Sequence, residues 1–119
     1  MAEGLARKRV KQASRIESAG LSPGFPGAQP DAVDVMRDLY GVDIESHRAR
    51  ALSDLEIDRY DWIIILDRSV FEYLRLRLHA VNDRLVLWDT ADPFGRGIEA
   101  YRETAESLCR SLDRHILPP

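Results

Sequence analysis

Trp62-Ile63-Ile64-Ile65-Leu66 is the stretch whose reading decides the fold, an apolar run with no polar interruption. A strand with one wet face alternates in polarity, whereas a continuous run is expected when both faces are covered. Asp67 or Ser69 then predicts the cap of a helix carrying Val70, Phe71, Leu74 and Leu78. Leu85 to Trp88 predicts a second buried strand, and Asp89 to Gly97 a loop. The last helix has Ile98, Tyr101, Ala105, Leu108, Leu112 and Ile116 at spacings of three and four.

Upstream of this core the signals are shorter. Residues 1–13 predict a helix with Met1, Leu5, Val10 and Ala13 loosely on one side, and no capping side chain precedes it. Ser14 to Ser18 is a short strand candidate, ended by Ala19-Gly20, and Ser22 to Pro30 is a Gly/Pro loop. Pro30-Asp31 opens a helix with Ala32, Val35, Met36 and Leu39 on one face and Gly41 as its stop. Ser53-Asp54-Leu55-Glu56 has the pattern of a capping box. Strands alternating with helices imply an α/β fold, three layers deep, with a short parallel sheet between helices. About three strands must serve about five helices, so the sheet is thin.

Composition sets outer limits. At 119 residues the chain is a single domain spanning 1–119, and 45% hydrophobic residues suit a packed core. A net charge of -3 argues against a nucleic-acid partner. The run Ile63 to Leu66 falls far short of the roughly 20 residues of a membrane span. The single cysteine, Cys109, excludes an internal disulfide framework and any multi-cysteine metal site, and it fits a reducing cytoplasm. Residues 1–13 lack the apolar core of a secretory signal.

Five stretches carry a family resemblance. Met1-Ala2-Glu3-Gly4-Leu5-Ala6 comes first, then Glu17-Ser18-Ala19-Gly20 and Ser46-His47-Arg48-Ala49-Arg50-Ala51-Leu52. Leu66-Asp67-Arg68-Ser69 and Ala91-Asp92-Pro93-Phe94 complete the set. In this order and spacing they resemble the low-molecular-weight protein tyrosine phosphatase family along essentially all 119 residues. Chains of that family open with a strand and a loop holding a cysteine and an arginine, followed by Ser-Pro and a helix beginning Met-Ala-Glu. The resemblance therefore implies that the strand and the phosphate-binding loop lie outside residues 1–119, and that the absent strand is the central one, between Arg15–Ser18 and Trp62–Leu66.

The resemblance also implies roles. A cysteine thiolate attacks phosphorus, an arginine forks onto two phosphate oxygens, and a carboxylic acid protonates the leaving phenolate. Asp92 matches that acid and Pro93 would stiffen its loop; Asp89 is the nearest competitor but has no proline after it. Phe94, with Phe25 on a looser match, would wall a phosphotyrosine ring. Ser18 and His47 would support the phosphate loop, and without it both side chains are expected to be free or bonded elsewhere. No cofactor is implied. Arg48 and Arg50 are open to anion binding or to a solvated loop. Cys109 falls on or beside the apolar stripe of the last helix, as a small hydrophobe rather than a nucleophile. His79 and His115 show no partner pattern.

Residues 1–119 are accordingly expected to be inactive as given, the substrate of a loop-bearing form being a phosphotyrosine protein. A non-catalytic binding protein, a protein-arginine phosphatase and, more remotely, an arsenate reductase stand as alternatives. Unpaired backbone groups left by a missing strand cost about 1–3 kcal/mol each against a total stability of roughly 5–15 kcal/mol. The sequence thus predicts a closed-up sheet, a strand borrowed from another chain, or an oligomer.

Overall fold

The computed structural model describes residues 1–10, 15–21 and 27–115. Two strands, β1 (Ile63–Ile65) and β2 (Leu85–Leu87), pair in parallel with Ile64 opposite Val86. The pairing continues past both, with the Trp88 amide donating to the Ile65 carbonyl (2.8 Å) and the Thr90 amide to that of Leu66 (2.9 Å). Four helices accompany the strands: α1 (Ala2–Arg9), α2 (Pro30–Tyr40), α3 (Arg68–Arg77) and α4 (Ile98–His115). The expected mixed α/β architecture with a short parallel sheet is present.

Side chains along a strand point alternately to opposite faces, and the packing follows that period of two. Ile64, Leu66, Val86 and Trp88 join Leu5 of α1, Val35 and Met36 of α2, and Ala105 and Leu108 of α4 in the main core. Ile65 lies outside that cluster and is buried, as is Leu74 of α3, the helix that packs on both strands. The sheet is thus sandwiched between α1, α2 and α4 on one face and α3 on the other.

All four helices start at one end of the molecule. Chain direction places the start of α3 just beyond β1 and that of α4 beyond β2. Arg9 pairs with Asp113, which brings the ends of α1 and α4 together. Lys8 donates to the Tyr40 carbonyl, joining the ends of α1 and α2. The carboxyl ends of the strands and the positive ends of the helix dipoles therefore face the same way.

Several expectations need correction. No ladder includes Arg15–Ser18; next to it stands only an isolated bridge, Gly20 to Ala51, and Ser14 lies outside the described residues. The first helix ends at Arg9, and residues 11–14 are outside the description. The capping-box stretch makes two three-residue 3-10 turns, Leu52–Asp54 and Ile57–Arg59, with no side-chain cap. Neither turn is long enough to present the α-helical third position that a box requires. Trp62 is 58% exposed, so the covered run begins at Ile63 rather than at Trp62. Leu39 shares the face of Ala32, Val35 and Met36 but stands in the last turn of α2, where it is 50% exposed. Gly41, at φ 65, ends α2 as expected for the one residue without a Cβ penalty there.

Candidate active site

The loop after β2 holds Asp92, and its geometry is set residue by residue. A carboxylate before proline is confined to extended backbone, because the ring excludes the helical region. Asp92 Oδ1 accepts the Phe94 amide (3.0 Å), which folds the chain into a turn. The Arg96 amide then bonds the Pro93 carbonyl (3.0 Å). Gly95 (φ 75) and Gly97 (φ 89) take the left-handed conformations needed to turn directly into α4. Asp92 is exposed, and Oδ2 has no hydrogen-bond partner among the described residues. It lines a shallow hollow of about 140 Å³ together with Thr90, Pro93, Arg96 and Thr104. Phe94 is 63% exposed on the same turn, an aromatic face open to a ligand.

Neighbouring charge locates this loop relative to the helices. Burial raises the Tyr101 phenol above its ordinary range, and the negative charges of Asp31 and Asp92 add to the effect. Asp31 begins α2 and Tyr101 lies in the first turn of α4, so both helix starts lie near the Asp92 carboxylate. Asp89, the competitor for the acid role, is engaged elsewhere: Arg68 Nη2 and Nε approach its Oδ2 at 3.0 and 3.3 Å.

Ser18 and His47 meet at the start of α1. Ser18 Oγ donates to Glu3 Oε1 (2.7 Å), and Arg7 pairs with the other Glu3 oxygen (3.2 Å). Burial works to raise the Glu3 carboxyl. The Ser18 hydrogen bond and the nearby positive charges of Arg7 and His47 outweigh it, and the net shift is downward. The amino group of Met1 is held below its ordinary range, chiefly by burial, with Glu3 opposing. Ser18 is thus bonded within the chain, and His47 is an electrostatic neighbour of Glu3.

Arg50 is engaged within the chain. It pairs with Glu17, which also accepts the Tyr60 hydroxyl (2.6 Å) and approaches Arg15 (3.3 Å). The Tyr60 bond leads in lowering the Glu17 carboxyl below the usual range. Arg48 donates to the His47 carbonyl (2.9 Å). Cys109 is buried in α4, in the core expected of it. Phe25 and the side chains of His79 and His115 lie outside what is described. Among the described residues no group of His, Cys, Asp or Glu is disposed to hold a metal ion, and no helix is long and apolar enough to cross a membrane.

Sequence reading missed Glu3, Glu17, Tyr60 and Thr104. Glu3 was inside a quoted motif without a role, and Thr104 sits as a polar residue between Tyr101 and Leu108 on the apolar stripe of α4. That anomaly was the available signal.

Comparisons with known proteins agree on one group. The family model described as low molecular weight phosphotyrosine protein phosphatase matches residues 1–116. A probable low molecular weight protein-tyrosine-phosphatase EpsP from Ralstonia nicotianae is 31% identical, covering 98% of this chain and 83% of the relative. The crystal structure of a low molecular weight protein tyrosine phosphatase from T. tengcongensis superposes with a TM-score of 0.83 at 30% identity, over 97% of this chain and 86% of the other. The YwlE arginine phosphatase from Geobacillus stearothermophilus shares the fold, with a TM-score of 0.82 at 23% identity over 95% and 79%.

Proposed function

This chain belongs to the low molecular weight phosphotyrosine protein phosphatase family, and from that premise we propose that it is the body of a phosphotyrosine phosphatase in which Asp92 is the general acid. The observation that carries the reading is the Asp92 carboxylate. It is exposed, tied through one oxygen only, and set at the end where the strands finish and the helices begin.

The chemistry follows from that placement. A phosphoryl dianion bound there meets the positive ends of the helix dipoles. Protonated Asp92 gives its proton to the departing phenolate oxygen as a cysteine thiolate takes the phosphorus. As carboxylate, Asp92 then takes a proton from the water that hydrolyses the phosphocysteine. Phe94 lies against the phenol ring, with Phe25 as the second wall. Ser18 and His47 support the phosphate loop, Ser18 exchanging its bond to Glu3 for a loop acceptor.

The nucleophile is not within residues 1–119, whose sole thiol is the buried Cys109. We infer that the strand and cysteine/arginine loop precede residue 1 in the catalytic form, that residues 1–119 alone are inactive, and that the protein works in the cytoplasm. The unpaired edge of β1 among the described residues fits a strand seated beside it. A chain used without that segment would act as a non-catalytic binding protein, and Cys109 in the core is the observation favouring that second reading. A phosphoarginine substrate has only shared fold behind it. In a form carrying the loop, Asp92→Ala is expected to lower turnover of phenyl phosphate about 100-fold or more while phosphate still binds. Unchanged turnover would remove Asp92 from the mechanism.

A further inference from the structure

Thr104 is one of two buried polar residues among the described residues, only 9% exposed. A buried hydroxyl needs a partner, and a threonine within a helix ordinarily finds it in the carbonyl four residues back. Thr104 Oγ1 donates instead out of its helix, to the Ala91 carbonyl at 3.2 Å. Ala91 immediately precedes Asp92, so this bond fixes the peptide from which the acid springs. On the other side, Pro93 limits the Asp92 backbone and the Phe94 amide holds one carboxylate oxygen. Exposed Arg68 and Asp89 also tie the loop's start, but a pair in water contributes little.

We propose that Thr104 is the positioning residue of the general acid, its hydroxyl anchoring the Ala91 carbonyl and thereby aiming the Asp92 carboxylate. The inference rests on the reading of Asp92 given above and adds a residue to it. The anchor lies on α4, the longest helix, so it carries the rigidity of the core to a loop otherwise exposed.

Two substitutions separate the hydroxyl from the packing. Thr104→Val keeps the shape and loses the donor; Thr104→Ser keeps the donor and loses a methyl. The measurement is the temperature coefficient of the Phe94 amide proton shift by NMR on residues 1–119, small when that amide is held on Asp92. Thr104→Val is expected to raise it to that of a solvent-exposed amide, and Thr104→Ser to retain the native value even where it lowers Tm. A native coefficient in Thr104→Val, or loss in both variants alike, would overturn the inference. Neither result bears on whether Asp92 is the acid, which the Asp92→Ala turnover tests separately.

Discussion

Asp67 commits its carboxylate to α3, accepting the Ser69 hydroxyl and the amides of Ser69 (2.7 Å) and Val70 (3.2 Å). Those bonds, the Ser69 hydroxyl foremost, hold it below the ordinary carboxylate range. A depressed folded pKa stabilises the fold above the unfolded value near about 4, and the contribution is lost as pH falls through the folded one. Asp67→Ala is therefore expected to lower Tm at pH 7 and to converge on the native protein in strong acid. Asp67→Asn should cap nearly as well. A Tm gap for Asp67→Ala that persists unchanged into strong acid would refute the capping account. Asp67 was legible in the sequence because it acts on residues two and three positions away, whereas Asp92 was singled out by the family resemblance. Glu3 with Ser18, and Glu17 with Tyr60, were not legible, since their partners are distant in the chain and only the fold joins them.

At the scale of elements, α4 was read most completely: its period of three and four is the buried stripe from Tyr101 to Leu112, although Ile98 is 43% exposed and Ile116 lies outside the described residues. Leu108 is 1% exposed, and Leu108→Ala should cost about 2–5 kcal/mol in urea unfolding. Leu39→Ala, on a half-exposed side chain, should cost less than about 1 kcal/mol. Equal costs would mean that the packing of α2 extends through its last turn. Where reading failed, the stretches were too short to carry a period. Among the described residues Arg15–Ser18 has no ladder to hold it in strand form, and Ser53–Glu56 has the right residues on turns too short for a box. β1 was legible from its isoleucines alone, and the exposure of Trp62 was not, because composition cannot say where a covered strand begins.

Across the whole molecule, two paired strands carry helices on both faces, and the third strand read from the sequence is not in the ladder. A parallel strand left with an open edge offers its peptide groups to another chain. Residues 1–119 at increasing concentration should therefore associate, as followed by light scattering, and chains led by the missing strand should not. Monomeric behaviour at all concentrations would count against an open slot. The family was legible in five short motifs, two of which, residues 66–69 and 91–94, directly follow β1 and β2.

The central claim is that residues 1–119 supply the acid and not the nucleophile, and p-nitrophenyl phosphate hydrolysis tests it most directly. Residues 1–119 should release no p-nitrophenol above buffer. The same chain preceded by a strand and a Cys-x5-Arg-Ser-Pro loop should do so, with turnover abolished by replacing that loop cysteine and unaffected by Cys109→Ser. Hydrolysis by residues 1–119 that disappears with Cys109→Ser would contradict the account.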